Sequence, residues 1–361
     1  MPGGAADAPV TRMRMRIVLG FVVGVALAAA LFSAFGTAAI ARALGTLGWA
    51  GFAAIVGFHL VLIALMGAAW WLLGRGRSDV RLWRFVWGRL VRDAASQALP
   101  LSQLGGMVLG VRALAIAGVA AAFATASLIV DIGVEMAGLV CYALLGLGLL
   151  CWLRPASGLV GPVAAGLALM AALVVGFVMA QVRGSGLIGR WVAPLVARWT
   201  GAQAQRASGL PDAIRLIHGR YAMLALAWSV HFACWLLTGV QAWLVLRLMH
   251  VPIGFAAAVV IDSLTFGMRS LAFMVPSAIG VQEGAYVLLG ALFGVGPETA
   301  LALSLVRRGR DLAIGIPVLI GWQLYEGGRF WGGRFWRRPA AAAASEPDSA
   351  RAAHRVRNDA A

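Results

Sequence analysis

The sequence predicts an all-α polytopic membrane protein of two inverted-topology repeats, each with two spans, a Pro/Gly-broken hairpin and a long span. Three observations predict it. The 361 residues are 61% hydrophobic and only 12% charged, whereas the surface of a soluble chain this long needs far more charge. Several apolar runs reach the roughly 20 residues that cross a bilayer as helix. The 30 basic residues, all arginine, cluster in short segments between those runs, as the positive-inside rule expects of cytoplasmic loops.

The elements follow in order. Residues 1–16 form a cytoplasmic tail ending in Arg12, Arg14 and Arg16, and the first span runs from Ile17 to about Gly36. An arginine-rich start before an apolar stretch also fits a cleavable signal, but this stretch is long and the repeat requires it. A second span covers Trp49–Leu73. Arg75, Arg77, Arg81 and Arg84 follow it, and Ser78 caps a short interfacial helix carrying Leu82, Trp83, Phe85 and Val86. The region Phe85–Gly118 is broken at Pro100 and at Gly105-Gly106. A long helix from Ala120 to Trp152 closes the first repeat, residues 17–154.

The second repeat, 155–328, opens with a span from Gly158 to Gln181. Its linker, 183–220, holds Arg190, Arg198, Arg206 and Arg215, which puts it in the cytoplasm. Leu187, Trp191, Leu195 and Trp199 recur there at helical spacing and predict another interfacial helix. A span from Tyr221 to about Leu248 precedes a second broken region, Val251–Val295, interrupted at Pro276 and Gly280. The last span, Glu298–Trp322, returns to the cytoplasm. Residues 329–361 form a basic cytoplasmic tail, and from Pro339 on they lack the apolar content to fold.

The two broken regions correspond at an offset of 176 residues: Leu99-Pro100 with Val275-Pro276, Gly118-Val119 with Gly294-Val295, and Asp131 and Glu135 with Arg307 and Asp311. The first hairpin hangs from the cytoplasmic face and the second from the outer face, an arrangement known from secondary transporters. Two pairs of short, proline-kinked spans are the alternative, because proline and glycine are common in membrane helices.

Asp131 and Glu135 lie one turn apart on one face of the third span, and Arg307, Arg308, Arg310 and Asp311 lie 9 to 13 residues into the last. A charge at the helix centre costs about 2.5–3.5 kcal/mol even on an insertion scale, so these groups must be paired or watered. The repeat predicts Asp131 and Glu135 opposite Arg307 and Arg310, lining a path for a polar lipid head group; a purely structural salt bridge is the other role they fit. More polar residues gather at the hairpins: Arg89, Arg92, Asp93, Gln97, Ser102, Gln103 and Arg112, then Asp262, Arg269, Gln282 and Glu283. Glu283 follows the Pro276 break closely and fits either of two roles, neutralising Arg269 or binding substrate. Arg92 and Asp93 also fit a solvated interfacial role. His59 and His231 occupy roughly corresponding places and read as helix-packing donors.

Other chemistries find no support. The basic excess sits in loops, not in a nucleic-acid-binding face. Cys141, Cys151 and Cys234 stand singly, without ligand spacing. No P-loop, dinucleotide fingerprint, HExxH or nucleophile elbow occurs, so no cofactor, metal or catalytic residue is expected.

The segment Trp87-Gly88-Arg89-Leu90-Val91-Arg92-Asp93-Ala94-Ala95-Ser96, continuing through Leu99-Pro100-Leu101-Ser102-Gln103-Leu104-Gly105-Gly106, resembles hopanoid-biosynthesis-associated membrane proteins of the HpnL type. So do Asp131 and Glu135, the run Pro276, Gly280, Gln282, Glu283, Gly284, and Gly321-Trp322-Gln323. These proteins belong to the flippase-like family built on the transmembrane region of lysylphosphatidylglycerol synthase, and the resemblance covers about residues 15–330. It implies movement of a lipid, a hopanoid or a phospholipid, in a bacterial inner membrane, with hopanoid-synthesising enzymes as possible partners. In the family an acid often follows the first hairpin's glycine pair; Met107 stands there, which leaves Glu283 alone. The synthase's aminoacyl-transfer domain has no counterpart in this sequence. A membrane-embedded lipid-modifying transferase and a non-catalytic scaffold are the rival readings. Against an outward-facing glycosyltransferase, the first outer loop, Thr37–Gly48, carries Arg42 and no acid.

Overall fold

The computed structural model describes residues 37–98, 102–183, 209–272, 275 and 278–335. The predicted first span, the linker helix at 187–199, Pro100, Pro276 and the tail beyond 335 lie outside the described residues. Within them, regular structure is helical throughout, in ten helices. Residues 1–318 cluster as one compact unit and 319–361 as a second.

Helix α1 (Thr37–Leu72) is two helices joined at a kink, where Gly48 adopts φ 64°, a left-handed value that glycine reaches without a Cβ clash. Helices α2 (Leu82–Ala98) and α3 (Ser102–Ile116) pack on each other as the first hairpin. The interfacial helix expected after Ser78 is not separate. Leu82–Val86 start the hairpin's first arm, because Phe85 is buried edge-on against Trp70 of α1, with centroids 5.4 Å apart. Gly106 permits the hairpin's tight approach: a Cβ there would overlap the Ser96 hydroxyl and come within 2.5 Å of the Arg92 carbonyl oxygen.

Helix α4 (Ala121–Leu153) is about 50 Å long at 1.5 Å per residue, longer than the ~30 Å hydrocarbon core. Helix α5 (Val160–Arg183) buries only Leu167, Met170 and Gln181, as expected of a span facing lipid. Helix α6 (Leu210–His218) is short and amphipathic. It starts at Leu210-Pro211 with Asp212 in its first turn, ends near Arg215 and His218, and buries Leu210, Ile214 and Ile217. Helix α7 (Tyr221–Leu248) packs on α1, α4 and α8.

Helices α8 (Phe255–Leu271) and α9 (Val281–Ala291) form the second hairpin. Helix α10 (Pro297–Phe335) follows, with Pro317 inside it. The predicted last span, Glu298–Trp322, is therefore part of one 39-residue helix.

Among the described residues, four helices are long and apolar enough to cross a membrane: Leu44–Leu72, Ala121–Leu153, Val160–Arg183 and Tyr221–Leu248. Helix α10 is long enough but is not in this set; it carries Arg307, Arg308, Arg310 and Asp311.

The two hairpins end alike. Gly118 (φ 93°) is followed by Val119, whose N–H donates to the Leu114 carbonyl at 3.0 Å. Gly294 (φ 76°) is followed by Val295, whose N–H donates to the Gly290 carbonyl at 3.0 Å. Both are helix-terminating turns with a left-handed glycine. Each hairpin has its own apolar cluster. One joins Trp70, Phe85, Leu114, Phe123 and Ile214; the other joins Leu150, Leu246, Ile261, Leu289 and Leu301.

Candidate functional site

The first hairpin meets α4 through a network of charges. Arg89, Arg92 and Asp93 stand at helical spacing on α2, and Asp131 and Glu135 stand one turn apart on α4. The Arg89 guanidinium donates to both Glu135 oxygens, at 2.7 and 2.9 Å, and through Nε to Asp93 at 2.8 Å. Arg92 donates to Asp131 at 3.1 Å and to Glu135 at 2.9 Å. From α7, His231 Nε2 lies 3.0 Å from Asp131 Oδ1, and the Trp235 indole N–H donates to the Glu135 carbonyl at 3.2 Å. Asp131 and His231 are fully buried (0% exposed). Such burial is tolerable only because the polar atoms find partners; even so, His231 Nδ1 has none among the described residues.

A second network joins α8 and α10. Arg307 pairs with Asp262, which also accepts from the Tyr142 hydroxyl at 2.9 Å and the Thr238 hydroxyl at 2.8 Å. The Arg307 guanidinium lies over the rings of Phe266 and Tyr286, at 5.1 and 5.7 Å. Among the described residues, the buried Tyr286 hydroxyl and Arg307 Nε lack hydrogen-bond partners. At the start of α9, Glu283 accepts from the Gly280 N–H at 2.7 Å, the Ser304 hydroxyl at 2.8 Å and Arg308 Nε at 2.7 Å. Gln282 donates to Ser304 at 2.7 Å. Further along α10, Arg310 donates to Asp311 at 2.7 and 2.9 Å and to Gln241 of α7. His59 of α1 lies 3.9 Å from Asp311.

The pairing expected from the repeat therefore differs from the pairing found. Asp131 and Glu135 meet Arg89 and Arg92, not Arg307 and Arg310. Glu283 meets Arg308, not Arg269. The two long helices each face their own hairpin, so equivalent positions do not face each other. Arg92 is buried, not solvated. Gln103 is exposed and Gly105 half-buried. Sequence reasoning gave no pairing role to Arg89, Asp262, Tyr142, Thr238 or Gln241. The spacing of Arg89, Arg92 and Asp93 was a usable signal, since it matches the one-turn spacing of Asp131 and Glu135.

Outside the spans, Asp79 ties the α1–α2 loop to the start of α4. Burial pushes its pKa up, but hydrogen bonds from Arg77 and the Ala120 N–H, with the Arg77 charge, hold it below the usual carboxylate range. Burial pushes His218 below its ordinary value; its Nε2 lies 3.1 Å from Gln181 Oε1. No group of three or more His, Cys, Asp or Glu side chains suited to a metal ion occurs among the described residues.

Long apolar spans, broken helical hairpins and buried charges joining hairpin to span define a polytopic helical membrane protein with polar structure inside its apolar layer. The chain belongs to the Lysylphosphatidylglycerol synthase TM region family, which matches residues 17–321. It is thus a multi-pass member of a lipid-related membrane family. No curated protein and no solved structure matches it.

Proposed function

We propose that this protein moves a lipid between the leaflets of the bacterial inner membrane, with both chain termini cytoplasmic and a hopanoid or hopanoid-linked phospholipid as cargo. The carrying observation is that each hairpin's first arm bears charges paired with a span-length helix: Arg89 and Arg92 with Asp131 and Glu135, and Asp262 with Arg307. Packing alone needs no such groups, and apolar residues of similar volume often serve it better. Charges inside a membrane protein mark polar pathways. The matching turns at Gly118 and Gly294 support an inverted repeat, and α4 and α10 begin 176 residues apart, at Ala121 and Pro297. In this reading Asp131, Glu135, Glu283, Arg307, Arg310 and Asp311 border the pathway. The two hairpins rock against the spans. Hopanoid cargo and hopanoid-making partners rest on the sequence resemblance of the first hairpin.

Reconstitution tests it. Full-length protein in liposomes should speed the exposure of a head-group-labelled phospholipid or an amino-hopanoid to a membrane-impermeant quencher, and Arg92→Gln should slow it. Equal rates with and without protein for both lipid classes refute translocation. Chemical conversion of the lipid in the same vesicles would establish a transferase instead.

A further inference from the structure

The first network joins three carboxylates to two guanidiniums. Asp93, Asp131 and Glu135 pair with Arg89 and Arg92, and the remaining partner is the His231 imidazole. With that ring neutral the joined groups keep one net negative charge; with it protonated they balance. The contact with Asp131 also fixes where the neutral ring holds its hydrogen. An ionised carboxylate accepts hydrogen bonds and donates none, and Arg92 already donates to Asp131 Oδ2. His231 Nε2, 3.0 Å from Oδ1, is therefore the donor, a tautomer set by the hydrogen-bond pattern. The ring's lone pair is left on Nδ1, which is buried and has no partner among the described residues.

Two opposing effects act on a proton at Nδ1. Balance with a buried carboxylate favours it, whereas the lack of an acceptor beside Nδ1 disfavours it. A proton held between them can come and go. The other groups around α7 are placed differently. Cys234 feels Arg89 and Glu135. His59 of α1 stands beside Asp311, within electrostatic reach of Arg89, Arg307 and Arg310. Asp262 of α8 bonds Thr238 but is held by Arg307 of α10, and Arg310 of α10 donates to Gln241. His218 of α6 contacts Gln181 of α5. We infer that the His231–Asp131 pair is a proton-binding site, with Nδ1 as the atom that takes the proton. Histidines and carboxylates inside membranes serve as proton relays. The role of the site rests on the translocation reading. Arg92 belongs to the hairpin and His231 to a span, so hairpin movement that takes Arg92 from Asp131 removes a positive charge. A proton from water, taken up at Nδ1, replaces it and leaves when Arg92 returns. The proton is then the coupling ion of lipid movement.

Two measurements on the full chain test this. In nanodiscs, nitrogen NMR of histidine-labelled protein should show His231 neutral with hydrogen on Nε2 in alkaline buffer, and as imidazolium in acid. Loss of the signal in His231→Gln assigns it; if that variant folds poorly, the shift caused by Asp131→Asn does so. A ring that keeps one state wherever the protein stays folded overturns the site. In liposomes, a pH gradient of one unit is held with nigericin and potassium, and a head-group-labelled phospholipid reports the steady-state leaflet ratio against protein-free vesicles. One unit corresponds to about 1.4 kcal/mol per proton, so one proton per lipid should hold a leaflet ratio of up to about tenfold, in either direction. His231→Gln keeps a donor toward Asp131 but cannot take the proton, and its ratio should stay level. Exchange in wild type with a level ratio under the gradient overturns the coupling role without any variant. Two ring states in a protein that exchanges no lipid sink translocation and leave the proton site standing.

Discussion

Glu135→Gln is the most informative single change in the first network. Glu135 accepts three guanidinium bonds, two on Oε2 at 2.9 Å each and one on Oε1 at 2.7 Å. An amide has one acceptor oxygen. Turned to keep the two-bond position, it points its NH2 at Arg89 Nη2, donor against donor. Breaking a buried pair costs about 3–5 kcal/mol. Arg89 keeps Asp93 and Arg92 keeps Asp131, so the lower end, about 3 kcal/mol, is expected. Reversible unfolding in mixed micelles measures it. A double-mutant cycle with Arg89→Gln should give a coupling of about 1–3 kcal/mol, while the cycle with Arg307→Gln should be additive within about 0.5 kcal/mol. Stability within about 1 kcal/mol of wild type, or stronger coupling to Arg307 than to Arg89, would refute the network.

Two further outcomes are expected. Asp262→Asn strands the buried Arg307 and should cost about 3–5 kcal/mol, part of it recovered in Asp262→Asn/Arg307→Gln; unfolding titrations in which the double variant is no better than the single contradict this. Asp79 has a depressed folded pKa, so its contribution is complete above the unfolded value of about 3.9 and is lost as pH falls through the lower folded value. Asp79→Asn should therefore show a smaller loss of thermal stability than wild type on acidification below about pH 4, with little change at neutral pH because its Arg77 pair is partly exposed. An unaltered acid limb would remove Asp79 from the account.

Hydrophobicity made the spans readable. The span expected from Tyr221 to about Leu248 is a helix over Tyr221–Leu248, and the two broken regions hold helical hairpins, because apolar run length and Pro/Gly interruptions are local properties. Pairing is not local. Asp131 and Glu135 announce one charged face, yet which of several arginine pairs meets that face depends on which helix packs beside α4. Treating the two halves as related by an axis encouraged matching Asp131 with Arg307. The matching ignored that each has a nearer partner on its own hairpin. His231 illustrates the remainder: its bond to Asp131 spans 100 residues of sequence, and nothing in its flanking residues marks it out. The two arms were also harder to bound than the spans, since α2 carries charged residues through its length and reads as interfacial until Phe85 is seen packed on Trp70.

The partners within each network are made at different times. Arg89 precedes Glu135 by 46 residues, and Asp262 precedes Arg307 by 45. At ~5–20 residues per second, a ribosome needs roughly 2–9 seconds to cover such a distance. During that interval each hairpin's first arm has been synthesised without the counter-charges of its long helix, and it is poorly suited to lipid. The hairpins are thus expected to wait at the aqueous edge of the insertion machinery and to enter the bilayer only with the helix that follows.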